Sequence, residues 1–296
     1  MTTVNFDSSS GNWTATVGGK TIRSYSKTYV ERRVAALSGA REQSIARVAE
    51  KSNRFDINTR FGFVEKLVTM VAGGVQPSAV ITGEGGLGKT YTVTKTLDGK
   101  GYRDLTTLNE FEVGTKIRKS KTYTTVKGYS TAKGLYRTLF EGNGSVIIFD
   151  DCDAVLKDPV ALNLLKGALD SYGRRIISWN ADMRDEDLPR SFEFTGRVIF
   201  ISNMSQDRID QAIRSRSMMI DLSMTLDQKI ERMEYIAMSA EFLPEYDTAV
   251  KTDALNLIRR LKNDAKEISL RTLIAVSKVR AANRDWEELA EYMLVA

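Results

Sequence analysis

The stretch Gly83-Glu84-Gly85-Gly86-Leu87-Gly88-Lys89-Thr90 decides how this 296-residue chain is read. A glycine, four residues and then Gly-Lys-Thr is the spacing of a loop that cradles phosphate. The glycines let the backbone curl so that its N–H groups converge. The helix that follows adds its positive N-terminal end. At this spacing Lys89 reaches the outer phosphates of a nucleoside triphosphate, and the Thr90 hydroxyl is placed to ligate Mg2+. The flanks agree, because residues 79–82 read as a short buried strand and residues 89–97 as a helix.

A second element lies downstream. Val146-Ile147-Ile148-Phe149-Asp150-Asp151 is an apolar run with no polar alternation, the mark of a strand covered on both faces. It ends in two carboxylates. Asp150 is expected beside the loop, where it holds Mg2+ through water, and Asp151 is placed to polarise an attacking water.

Outward from these two strands the pattern alternates. Residues 61–71 carry a helical apolar stripe closed by Gly73-Gly74. Residues 123–126, 175–179, 197–201 and 218–222 read as strands. Helices are expected over 131–140 with Ser130 as cap, over 159–169 with Asp158 as cap, and over 207–214. Such βα alternation predicts an α/β fold with a central parallel sheet flanked by helices. After Thr225 no strand is expected, and helices over 226–240, 248–263, 269–282 and 285–294 form a small all-helical lid. Before the core, residues 1–12 read as a loose polar tail, residues 13–22 as a hairpin about Gly18-Gly19, and residues 28–50 as helix. The expected organisation is an extension over 1–55, an α/β nucleotide-binding domain over 56–224 and a lid over 225–296.

Composition removes other chemistries. There is no histidine and one cysteine, Cys152, so His-based triads, His-ligated metals and internal disulfides are excluded. The N-terminus has no signal-peptide core and no stretch approaches the ~20 apolar residues of a membrane span. A cytoplasmic protein without membrane contact is expected. The formal net charge is +5. Residues 1–56 hold nine Lys or Arg against five Asp or Glu, and residues 100–140 hold nine against three. Two basic regions on an otherwise acidic body are a candidate nucleic-acid footprint.

From about residue 55 onward the chain resembles the AAA+ ATPases, a branch of the P-loop NTPases. The resemblance rests on the phosphate loop (Walker A), the Asp150-Asp151 strand end (Walker B), the strand order and the helical lid. It is most like the AAA-type ATPases of bacteriophages, through Phe149-Asp150-Asp151-Cys152-Asp153 and Asn163-Leu164-Leu165-Lys166-Gly167-Ala168-Leu169-Asp170. The resemblance implies ATP and Mg2+ as ligands and assigns further residues. Asn203, at the end of Arg197-Val198-Ile199-Phe200-Ile201-Ser202-Asn203, takes the place of sensor 1. Arg216, with Arg214 as second choice, takes the place of an arginine finger serving a neighbouring subunit, which implies a homo-oligomeric, commonly hexameric, ring. Arg271 takes the place of sensor 2. One departure stands out: Asp151 is found where the family usually has Glu, so the carboxylate has a shorter reach.

The loop after the second core strand lines the pore in such rings, which points to Lys127 and Tyr129, with Lys116, Arg118, Lys119, Lys121 and Lys133 around them. Residues 176–179 and 192–195 are expected to pair as a hairpin. Three functional readings follow. The first is an ATP hydrolase acting on nucleic acid in phage DNA replication, recombination or packaging. The second is a protein-remodelling chaperone with a polypeptide partner. The third is a slow ATP-switched assembly scaffold.

Overall fold

The computed structural model describes residues 4–8, 11–17, 19–28, 30–31, 33–34, 54–106, 119–128, 130–180 and 188–296. The chain divides into two compact units, Met1–Phe55 and Asp56–Ala296.

In the first unit β1 (Asn5–Asp7), β2 (Asn12–Val17) and β3 (Lys20–Ser24) form an antiparallel sheet in that order. Val17 pairs with Lys20, and Gly19 between them has φ +77°. Positive φ is what a tight hairpin turn between right-twisted strands requires. The hairpin is therefore as expected, but the loose tail is not. Residues 5–7 are a third strand, in which Phe6 sits opposite Trp13 with ring centroids 5.0 Å apart. A cross-strand aromatic pair of this kind stabilises a short edge. Residues 27–28, 30–31 and 33–34 are helical. The rest of the helix expected over 28–50 lies outside the described residues.

The second unit is built on a six-stranded sheet, every pair of it parallel. Its strands are β4 (Ser78–Thr82), β5 (Arg103–Asp104), β6 (Thr122–Lys127), β7 (Val146–Asp150), β10 (Arg197–Ser202) and β11 (Met218–Asp221). Their spatial order is β11-β4-β10-β7-β6-β5. The phosphate-loop strand β4 and the carboxylate strand β7 are thus not neighbours; β10 runs between them. All five residues of β4 and of β7 are buried.

Side-chain alternation sorts the sheet into two faces. Ala79, Ile81, Val146, Ile148, Ile199 and Ile201 point to one face, where α1 (Ile57–Ala72) and α2 (Lys89–Gly99) cover them. Val80, Ile147, Phe149, Val198 and Phe200 point to the other, under α3 (Ala132–Glu141) and α4 (Pro159–Ala168). Phe149 and Phe200 stack at 5.4 Å on adjacent strands. Truncating a side chain so enclosed costs about 3–5 kcal/mol.

Asp158 caps α4 as expected, its carboxylate accepting from the Ala161 N–H at 2.8 Å. The cap of α3 is Thr131, not Ser130, accepting from Gly134 N–H at 3.0 Å. Two adjacent hydroxyls offer equal capping chemistry, and the extended backbone of Thr131 decides between them. Residues 176–178 do not join the main sheet. They form β8 (Ile176–Ser178), paired among the described residues with β9 (Ser191–Glu193) in the antiparallel hairpin expected of them. Asp210 caps α5 (Gln211–Arg216), after a 3-10 turn at Gln206–Arg208, where one longer helix was expected.

After β11 come α6 (Leu226–Ala237), α7 (Thr248–Arg260), α8 (Leu270–Ala282) and α9 (Trp286–Val295). They enclose a core of their own around Met233, Ile258, Leu273, Val276 and Ala290. The hinge into this layer is held by Arg60 of α1, whose guanidinium donates to Ser223 O at 2.9 Å and Gln228 Oε1 at 3.2 Å.

Candidate nucleotide-binding site

β4 ends at Thr82 and the loop begins at Gly83, with φ +138°. A Cβ there would fall 2.9 Å from the carbonyl carbon of Leu222, the residue after β11, so only glycine fits. Gly86, at φ +74°, is closed from the other side, since a Cβ would lie 3.0 Å from Ser269 Cβ. Leu87 is 1% exposed and anchors the loop in the core below. The loop then runs into α2 at Lys89, so the helix N-terminus faces the loop's interior.

Lys89 is 5% exposed. Its ammonium donates to Gly83 O at 2.7 Å, Glu84 O at 2.6 Å and Asn203 Oδ1 at 2.9 Å. Burial pushes its pKa down, and the nearby Asp151 and Asp150 carboxylates oppose that shift. A buried cation held by neutral oxygens leaves a positive potential inside the loop, which is what an anion of several charges would occupy. The Thr90 hydroxyl donates to both oxygens of Asp150, at 3.0 and 3.1 Å. Hydroxyl and carboxylate oxygens are hard donors suited to Mg2+. Among the described residues no group of three or more His, Cys, Asp or Glu could hold a metal by itself.

Asp151 has φ +56°, in the left-handed region that non-glycine residues seldom adopt. Its N–H donates to Ile201 O at 3.0 Å, and its carboxylate accepts from Asn203 Nδ2 at 2.7 Å. Burial, and then the adjacent Asp150, hold its carboxyl above the ordinary carboxylate range. Asn203 therefore bridges Lys89 and Asp151. The turn beneath is fixed by Ser202 Oγ, which donates to Asp153 at 2.6 Å. Cys152 is 3% exposed, its thiol donates to Val126 O at 3.3 Å, and burial pushes its pKa up to about 11. It is a packed side chain, not a nucleophile.

The lid sits directly on the loop. The Leu270 N–H, in the first turn of α8, donates to Gly86 O at 2.8 Å. Arg271 follows on this turn and is exposed. Lys229 of α6 forms an ion pair with Glu84. Farther along α2, Tyr91 donates to Glu241 at 2.7 Å and Lys95 is ion-paired with the same carboxylate. Between α1, α2 and the lid lies a cavity of about 1480 Å³ bordered by Phe61, Gly88, Tyr91, Arg232, Ile236 and Leu270. No local pattern marks Lys229 or Glu241; each meets its partner across more than a hundred residues.

The site thus brings together the loop from Gly83 to Thr90, Asp150, Asp151, Asn203 and the first turn of α8. It does not include Arg214 or Arg216. Arg216 lies at the amino end of β11, where its carbonyl accepts from Ser78 Oγ at 3.1 Å, and the phosphate loop leaves the opposite end of β4. Its guanidinium turns back onto its own helix, to Ala212 O at 3.1 Å, while Arg214 is exposed. Lys127 stands at the carboxyl end of β6 with its ammonium 3.4 Å from Asp150 Oδ2. Lys119 and Lys121 are at the other end of that strand, so these basic residues do not form one surface with Lys127. Tyr129, Lys116 and Arg118 lie outside the described residues.

A parallel sheet whose second strand in spatial order delivers a glycine loop and a buried Lys-Thr pair to a helix N-terminus defines a P-loop α/β fold. No family model matches the chain. The chain is 28% identical over 256 residues to the "Uncharacterized 36.7 kDa protein in nrdC-mobD intergenic region" of Enterobacteria phage T4, covering 79% of this chain and 73% of that protein. Among solved structures it is similar to NtrX from Brucella abortus in complex with ADP, with a TM-score of 0.43 and 13% identity. That similarity covers 87% of this chain and 59% of NtrX. Among the described residues no helix is long and apolar enough to cross a membrane.

Proposed function

We propose that this chain binds Mg-ATP in the loop from Gly83 to Thr90 and hydrolyses it. One observation carries the reading: the Lys89 ammonium is buried at the centre of the loop and is linked through Asn203 to the Asp151 carboxylate. Lys89 and the loop N–H groups bind the outer phosphates. Thr90 and Asp150 are the residues that would hold Mg2+, which when bound offsets phosphate charge. Asp151 accepts the proton of a water whose oxygen bonds to the γ-phosphorus. The bond from that phosphorus to the bridging oxygen breaks, and ADP and phosphate leave. An elevated carboxyl pKa makes Asp151 a better base near neutral pH. Asn203 holds its carboxylate in place. The cavity beside Gly88 has room for the base and ribose, and Arg271 on the docked lid turn couples nucleotide to lid.

The chain acts, on this reading, in a homo-oligomeric ring of the AAA+ kind. Arg216 stands away from its own loop, as a residue serving a neighbour's would, and its guanidinium, folded back onto Ala212 O, swings out to reach that site. Nucleic acid in a phage context is the favoured substrate, supported by the similarity to a phage T4 protein and by the basic composition of residues 100–140, although Lys127 stands at the opposite end of β6 from Lys119 and Lys121. The short Asp151 side chain also favours slow, switch-like turnover. The test is nucleotide binding and hydrolysis by wild type and Lys89→Ala, with and without single-stranded DNA. Wild type should be stabilised by Mg-ATP and turn it over, faster with DNA, whereas Lys89→Ala should do neither. Equal thermal shifts with ATP would remove the nucleotide assignment. Turnover indifferent to DNA would remove the nucleic-acid assignment.

A further inference from the structure

We propose that Lys127 is a counter-ion occupying the metal-binding carboxylate when no metal is bound, so that metal entry requires its release. The proposal rests on the reading of Asp150 as a magnesium ligand.

β6 and β7 run parallel with Lys127 in register with Asp150, so the two side chains leave the sheet on the same side. The Asp150 side chain is 8% exposed and has two partners, Thr90 on its inner side and Lys127, 68% exposed, on its outer side. The Lys127 ammonium lies 3.4 Å from Oδ2. A metal ion held at this carboxylate would be repelled at short range by an ammonium beside it, so the two compete. Thr90 is neutral and can stay. Lys127 is on a long, solvated stem directly before Gly128, whose φ of +86° turns the chain away from the sheet. It can swing out at small cost. It is therefore a positioning residue that sets how much Mg2+ the site needs, and it joins the metal site to the segment that leaves β6.

The experiment titrates Mg2+ at fixed fluorescent ATP analogue and reads the midpoint of nucleotide binding for wild type, Lys127→Ala and Lys127→Arg. A partly exposed ion pair of this kind corresponds to about a two- to fivefold shift. Lys127→Ala should lower the Mg2+ midpoint by that factor, Lys127→Arg should stay near wild type, and affinity in EDTA should change less than the midpoint does. A midpoint unchanged or raised in Lys127→Ala overturns the proposal, as does a Lys127→Arg midpoint that follows alanine. If wild type binds no nucleotide with Mg2+, the reading of the site has failed and this inference with it. If wild type binds and Lys89→Ala does not, an unmoved Lys127→Ala midpoint removes only this inference.

Discussion

The Lys89 ammonium and the Asn203 amide are bonded directly, Nζ to Oδ1 at 2.9 Å, across 114 residues of sequence. The other end of the same amide donates to Asp151 at 2.7 Å. One side chain therefore fixes both the loop cation and the carboxylate that faces water. Asn203→Ala should lower single-turnover hydrolysis by about 100-fold or more, the usual effect of removing one aimed donor. ATP affinity should fall by much less. Parallel losses in affinity and rate would show that Asn203 serves binding alone.

Asp151 is the group to test by pH. Its carboxyl is raised above its ordinary 3.8, first by burial and then by Asp150. The folded chain therefore holds this proton more tightly than the unfolded chain. The resulting stability is complete below pH 3.8 and is lost as pH rises through the folded value. Asp151→Asn keeps an acceptor for Asn203, tolerates positive φ and has no charge to desolvate. In metal- and nucleotide-free buffer it should gain on wild type in urea midpoint between pH 4 and pH 7, and it should not hydrolyse ATP. A gap that does not vary with pH would contradict this electrostatic account.

Cys152 offers a probe of the same strand end. With its pKa at about 11, about one thiol in a thousand is ionised at pH 8, against about a quarter for a free thiol. Alkylation of the native chain should be at least 100-fold slower than in urea, followed by mass. Equal rates would mean that the turn after β7 is open.

Lys229 bonds the lid to the loop through Glu84 while Leu270 N–H bonds it through Gly86 O. Removing the first link should loosen the lid without unfolding it. Lys229→Ala should speed release of a fluorescent nucleotide by about two- to fivefold in stopped flow. An unchanged release rate would place the whole lid contact on α8.

Arg216 is tested by mixing. Arg216→Ala should bind ATP normally and lose about 1000-fold in hydrolysis, the scale of an arginine supplied to a phosphoryl-transfer site. Mixed with Asp151→Asn subunits, it should recover part of the activity, because each type supplies what its neighbour lacks. No recovery would argue against a shared site.

The α/β fold with its parallel sheet was legible because it is written in local patterns. Residues 146–149 are apolar without alternation, and the glycines of the loop sit where the backbone needs them. The helical lid was legible for the same reason. Less was legible where two local choices were equivalent, as with Ser130 and Thr131, or where an element is very short. β5 has two residues and β1 three, too few for a period to register. The hairpin of residues 176–178 with residues 191–193 was legible as two short apolar runs, with its register shifted by a residue or two from the runs themselves. Within the site, the chemistry of Lys89, Thr90, Asp150 and Asp151 is contiguous with its motifs. The Lys127 contact depends on the register of β6 against β7, and the Lys229 contact on how the lid docks. Neither leaves a mark in a single sequence.

The order of the strands also bears on how the protein is made. Among the described residues β4 pairs with β10 and β11 and with no earlier strand, and the pairing of Ser78 with Val198 spans roughly 120 residues. On a ribosome adding about 5–20 residues per second, β4 waits on the order of ten seconds for its first neighbour. During that interval Ala79, Val80 and Ile81 have no edge to join, and the glycine loop has no Asn203 to close it. The nascent chain is therefore most exposed to wrong pairing while residues 83–197 emerge, and the link from Lys89 through Asn203 to Asp151 forms only when β10 slots in beside β4.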